Sequence, residues 1–210
     1  MGWNRVELKL QAKDFLKEYY WRSFLAVLIV TTISVFLEIA FNTENAEFLF
    51  VASKLSIGIR IFAINVLEVG LVNYFVRAEK GDVDVSNIFS VFKSNNYLNI
   101  VKTMVLRDVF LFLWTLLLII PGIVKSYEYC FIPYILAENP DLEYKEIFEK
   151  TKKMTKGEKL EIFILNLSFF GWYFLGSLLF IIGVIFVVPY HRATEAKLYF
   201  ALKDKTTFTH

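Results

Sequence analysis

Six ionisable side chains stand in stretches that are otherwise apolar: Glu68, Arg107, Asp108, Glu128, Arg192 and Glu195. Inside a hydrocarbon layer each charge costs at least ~2.5–3.5 kcal/mol unless it is paired or wetted. Two kinds of chemistry accommodate such a set. If wetted, it forms a pathway or binding site for an ion, a proton or a lipid headgroup. If mutually paired, it is neutral and fixes helix packing. Lys125 and Glu128 are three residues apart, as are Arg192 and Glu195, so each couple can pair along one helix face. Neighbours Arg107 and Asp108 diverge on a helix and call for partners elsewhere.

Other chemistry finds little to work with. The sequence has no HExxH, no GxSxG, no phosphate-cradling glycine loop and no Ser/His/Asp set, so no enzyme activity is expected. His191 has no second ligand at metal spacing, and the single cysteine, Cys130, excludes both an internal disulfide and a multi-thiolate site. Neither a metal nor a cofactor is implied. Basic residues lie beside hydrophobic runs, which favours a membrane surface as their partner and argues against nucleic acid.

The elements that carry these residues are helical and apolar. Of 210 residues 56% are hydrophobic and 18% aromatic, with 22 phenylalanines, and the mean hydropathy is +0.49. A soluble domain is nearer 45–50% apolar, so the excess points to a polytopic membrane protein. The central stretch, Asn99 to Asn139, would be ~60 Å as one helix, twice the ~30 Å hydrocarbon core. Pro121 and Gly122 interrupt it, which predicts a hairpin reversing there. Further spans are expected at Ser23–Phe41, Leu55–Val76, Lys159–Phe180 and Val184–Leu202, with Gly183 at the last reversal. Pro133 and Pro189 each lie in a returning span and are expected to kink it. Gly171, Gly176 and Gly183 suit close helix packing. The charged N-terminal region and the first apolar run are both longer than a signal peptide's, and no small-x-small cleavage site follows Ala40-Phe41, so the first span is expected to remain as an anchor.

Between Asn4 and Tyr20, Arg5, Lys9, Lys13 and Lys17 form a basic stripe opposite Leu8, Ala12, Phe15, Leu16 and Tyr19. That pattern suits a helix on an anionic inner leaflet, with Trp3, Tyr19, Tyr20 and Trp21 at headgroup depth. The competing reading is an ordinary solvated face packed on the bundle. Shorter amphipathic helices are expected after Asp84, as its cap, and over Asp141–Lys156, opened by Asn139-Pro140.

Three units share this plan, at about 4–80, 84–140 and 141–203, within one integral membrane domain covering 1–203; residues 204–210 form a tail. The outer connections at Asn42–Ser53, Ile119–Val124 and Ile181–Ile185 contain no lysine or arginine. Positive charge elsewhere places both termini in the cytoplasm and requires an even number of crossings. Six are expected, as three hairpins each preceded by a cytoplasmic amphipathic helix; four, with one hairpin re-entrant, is the competing count.

Several motifs carry a resemblance: Trp3-x-Arg5, Ile119-Ile120-Pro121-Gly122-Ile123-Val124-Lys125-Ser126-Tyr127, Tyr134 through Leu142, Met154-x-Lys156-Gly157, Leu167-Ser168-Phe169-x-Gly171-Trp172 and Pro189-Tyr190-x-x-Ala193-Thr194. Together they resemble the bacterial integral-membrane family catalogued as domain of unknown function nine-seven-five. That family is similar in outline to the membrane domain of some glycerophosphodiester phosphodiesterases. The resemblance implies a multi-pass helical fold in the bacterial plasma membrane and no particular activity. Two functions remain open: binding or passing a small solute, ion or lipid through the polar core, or acting as a membrane scaffold or envelope-assembly factor through protein partners or self-association.

Overall fold

The computed structural model describes the backbone of residues 3–41, 49–178 and 182–207, with side chains from 3 to 39, 62 to 178 and 183 to 206. The described residues are helical and contain no strand. In chain order the helices are α1 (Arg5–Phe41), α2 (Leu49–Glu79), α3 (Asn87–Ser90), α4 (Tyr97–Leu117), α5 (Ile119–Glu128), α6 (Ile132–Glu138), α7 (Tyr144–Thr155), α8 (Lys159–Leu178) and α9 (Ile182–Thr207). A single 3-10 turn, Val91–Lys93, follows α3. The expected loop at Asn42–Glu47, most of the last connection, and the side chains of Lys54 and Arg60 lie outside the described residues.

α1 merges two expected elements. Tyr19 leaves helical dihedrals (φ −114°, ψ 18°) and divides the helix into a basic amphipathic half and an apolar half. The amphipathic half is pinned to the bundle: Leu8, Ala12 and Leu16 are buried, Arg5 pairs with Glu161 at 3.4 Å, and Lys9 lies 4.4 Å over the Phe169 ring. Lys13 sits 5.8 Å over Tyr190, and Lys17 pairs with Asp14 at 2.7 Å.

The central reversal differs from its expected form. α4 ends at Leu117 and α5 begins at Ile119, so the break is the one extended residue Leu118 (φ −160°, ψ 139°). Pro121 falls in the first turn of α5, where a helix has no use for its missing donor. Gly122 is helical too, and its value is space. A Cβ there would stand 2.5 Å from Thr115 Oγ1 and 2.9 Å from Thr115 Cα, so the two arms touch only because the side chain is absent. Gly183 corrects in the same way. It belongs to α9, and a Cβ on it would meet the Gly176 carbonyl oxygen at 2.5 Å. Gly171 has open space around it.

The returning arm is two pieces. α5 has ten residues, and non-helical dihedrals at Tyr129 and Phe131 separate it from α6. Pro133 therefore starts a helix, where the expectation had it bending one. Pro189 does lie inside a helix, and α9 continues through it. The Tyr20 hydroxyl donates to the Phe186 carbonyl at 3.3 Å, one residue past Ile185, whose carbonyl loses its helical donor at the proline. The Asn139-Pro140 segment is a turn, not a helix start: the Asn139 N–H closes α6 on the Ile135 carbonyl at 2.8 Å, and α7 opens after Glu143. Asp84 Oδ1 accepts the Ser86 N–H at 2.9 Å just ahead of α3. That backbone hydrogen bond holds its carboxyl below the usual aspartate range.

Among the described residues two helices, α1 and α8, are long and apolar enough to cross a membrane. The burial pattern agrees. Leu116–Ile120, Phe36, Ile39, Phe170, Phe174 and Leu178 are all exposed, with Ile120 at 76%. Apolar exposure of that extent marks a surface for a protein partner or a membrane. These residues also share one end. α1 and α8 run parallel, joined by Trp3 to Glu158 and Arg5 to Glu161, whereas α5 meets the start of α8 through its own last residue, Glu128.

Candidate functional site

The six expected ionisable residues are distributed over three groups. Arg107 on α4 donates to both oxygens of Glu68 on α2, Nη1 to Oε1 at 3.0 Å and Nη2 to Oε2 at 2.9 Å. This fork-on-carboxylate geometry is the strongest form of the pair. Its Nε and Nη2 also reach Asp108 Oδ1 at 3.0 and 2.9 Å, so the adjacent side chains fold towards each other rather than diverge. Asn65 Nδ2 donates to Asp108 Oδ2 at 2.9 Å. One guanidinium thus serves two carboxylates, with an amide completing the second.

The second group is on α9. Arg192 Nη1 donates to Glu195 Oε2 at 3.0 Å, the i,i+3 pair expected from spacing. Tyr134 of α6 also donates to that oxygen at 3.4 Å. Arg192 lies within electrostatic reach of Glu68, so the two groups form one polar layer. His191 belongs to it as well. Its ring stacks on Phe169 with centroids 4.5 Å apart; Nδ1 lies 2.8 Å from the Tyr173 hydroxyl and Nε2 3.1 Å from Asn166 Oδ1. Glu195 Oε1 is 3.7 Å from Nε2. Among the described residues no group of three metal-ligating side chains is present.

Glu128 stands apart. Its side chain is 5% exposed and ends α5, where Lys125 reaches it at 2.6 Å and Lys159, the first residue of α8, caps its other oxygen. The Thr151 hydroxyl donates to the Glu128 carbonyl at 2.9 Å, fastening α7 there. Glu128 is a joint between helix ends rather than a member of the layer.

Sequence reasoning passed over a second joint of this kind. Glu138, at the end of α6 and 4% exposed, accepts from Lys80 at 2.7 Å, Lys203 at 2.6 Å and the Tyr199 hydroxyl at 2.6 Å. Its three partners come from the end of α2 and from α9. Nothing in local spacing could have found it, because Lys80 and Lys203 are far away in the chain. Lys197 pairs with Glu79 at 2.6 Å, and Lys205 pairs with Glu158. The end of the bundle opposite the apolar tips is therefore held by ion pairs.

Beside Glu138 the surface opens into a cleft of about 510 Å³ between α6, α7 and α9, with Lys150, Lys153, Lys203 and Asn139 in its wall. A separate recess of about 610 Å³ lies at the apolar α4–α5 tip, from Thr115 to Pro121.

A family model described as Protein of unknown function (DUF975) matches residues 1–127 and 116–206. No curated protein and no solved structure matches the chain.

Proposed function

The chain belongs to the DUF975 family, and from that premise we propose a multi-pass, non-enzymatic protein of the bacterial plasma membrane that acts through its cytoplasmic face as a scaffold. One observation carries this reading: every charged group of the polar layer is engaged by another. Arg107 holds Glu68 and Asp108, Asn65 completes Asp108, and Arg192 holds Glu195. The layer's three carboxylates and two guanidiniums take up one another and so fix helix packing; a conducting pathway needs polar groups left for water or cargo. The charged end, with its ring of lysines, follows the positive-inside rule and faces the cytoplasm, as do both termini. Six crossings remain the preferred count, with the α4–α5–α6 hairpin as the element whose depth decides between six and four.

Passage of a proton or small ion is the other reading, and one observation favours it. Tyr173 and Asn166 hydrogen-bond the two ring nitrogens of His191 and Glu195 Oε1 lies 3.7 Å from Nε2, a titratable cluster of the type that relays protons. Flux measurements on reconstituted chain separate the two. A scaffold gives vesicles no more permeable to protons or potassium than empty ones. Flux above that baseline, abolished by His191→Phe, would overturn the scaffold reading.

A further inference from the structure

The cleft between α6, α7 and α9 has features that packing alone does not require. Lys150 and Lys153 lie one turn apart on α7 and face it together with Lys203 of α9. Glu138 is the carboxylate at its edge, and it is already taken up by Lys80, Lys203 and the Tyr199 hydroxyl. Among the described residues Lys150 and Lys153 have no carboxylate within ion-pair distance, although Glu146 and Glu149 stand one turn earlier on the same helix. The cleft is therefore a recess of net positive charge. The Asn139 side chain adds donors, and buried Ile135 and Met154 supply an apolar floor. A volume near 510 Å³ falls in the range of small-ligand sites.

We infer that this cleft binds a phosphate group, with Lys150 and Lys153 as its ligands and Asn139 as a neutral donor. The apolar floor suits a phosphate carried on a lipid, whose glycerol and first methylenes would cover Ile135 and Met154. Its position at the charged end puts it at headgroup level under the topology proposed above, and to that extent it rests on that reading. Lysine ammonium groups hold phosphate as point charges and need no bidentate geometry, which suits two cations on a single helix face. Basic recesses of this sort between helices are how anionic headgroups are held in place, beyond their attraction to a basic surface.

The test uses the full chain purified in mild detergent, titrated with phosphatidylglycerol or phosphatidylcholine and read by native mass spectrometry. Two double variants are compared, Lys150→Gln with Lys153→Gln in the cleft, and Lys145→Gln with Lys152→Gln on the same helix outside it. Both remove two charges, and both are checked for retained helicity by circular dichroism. Phosphatidylglycerol retention is expected to fall roughly tenfold or more in the cleft variant and to hold in the other, with phosphatidylcholine unaffected. Millimolar inorganic phosphate then identifies the source. Displacement of the lipid assigns the site to a soluble phosphate, and persistence assigns it to the headgroup. Equal loss in both variants, or no loss in either, overturns the site. Neither failure touches the flux result, so the site and the scaffold reading fall separately.

Discussion

Arg107 and Glu68 form a two-pronged bridge between α4 and α2, with both guanidinium nitrogens within 3.0 Å of the two carboxylate oxygens. The side chains are 13% and 30% exposed, so the bridge is neither open to solvent nor sealed. Removing one partner leaves the other charge in an apolar setting. Arg107→Gln should lower stability by about 2 kcal/mol, below the ~3–5 kcal/mol of a fully buried pair because Glu68 keeps some exposure. Adding Glu68→Gln should recover part of that loss, the remainder being Asp108, which Arg107 also holds. Thermal unfolding of the three proteins in one detergent checks this, and a double variant no better than the single would mean the bridge is not a neutral unit.

Gly70 is where α2 meets α3 with no room for a side chain. A Cβ there would lie 2.3 Å from the Ile88 carbonyl oxygen, a backbone atom that cannot swing aside. Gly70→Ala is expected to cost about 1–3 kcal/mol through overpacking. Gly171→Ala, with open space around it, should be neutral or slightly stabilising. Comparing their melting temperatures tests whether contact, rather than glycine itself, matters.

These two glycines mark the border of what the sequence made legible. Helical class, the long apolar runs and the pair Arg192–Glu195 follow from periodicity and spacing, which are local. Gly70 sits in an apolar run, and only the approach of Ile88 from another element gives it meaning. Pro121-Gly122 misled because proline and glycine signal a turn by composition, while Leu118, an unremarkable residue, makes the break. Arg107 and Asp108 were expected to diverge since helix geometry sets Cβ directions, but a long guanidinium can fold back onto its neighbour. Glu138 was missed for the reason its partners explain: its ion pairs are made across the fold.

Asn99 should act as the tie for the α6–α7 connection. Its Nδ2 donates at 2.8 Å to both the Pro140 and Leu142 carbonyls. Asn99→Ala removes both hydrogen bonds, a loss of about 1–3 kcal/mol. Limited proteolysis is expected to cut faster between 139 and 143 in that variant. Unchanged cleavage would mean the connection is held by its flanking helices alone.

Asp84 gives a pH dependence with a definite sign. The Ser86 N–H stabilises the ionised carboxylate, so the folded pKa lies below the ordinary aspartate value. The turn before α3 is therefore supported in full above that ordinary value and loses support as pH falls through the lowered one. Carboxyl-carbon NMR should find the Asp84 midpoint below that of a free aspartate, and Asp84→Asn should remove the acid sensitivity of amide exchange at Ser86. A midpoint at or above the ordinary value would contradict the hydrogen bond.

The orientation of the bundle is the most direct test of the whole account. In a Cys130→Ser background, single cysteines at Lys80, Lys205 and Asn45 can be treated with an impermeant thiol reagent on intact cells. Positions 80 and 205 are predicted to be protected until the membrane is opened, and position 45 to react at once. Labelling of position 80 or 205 from outside would put the lysine-rich end on the wrong side and contradict the account.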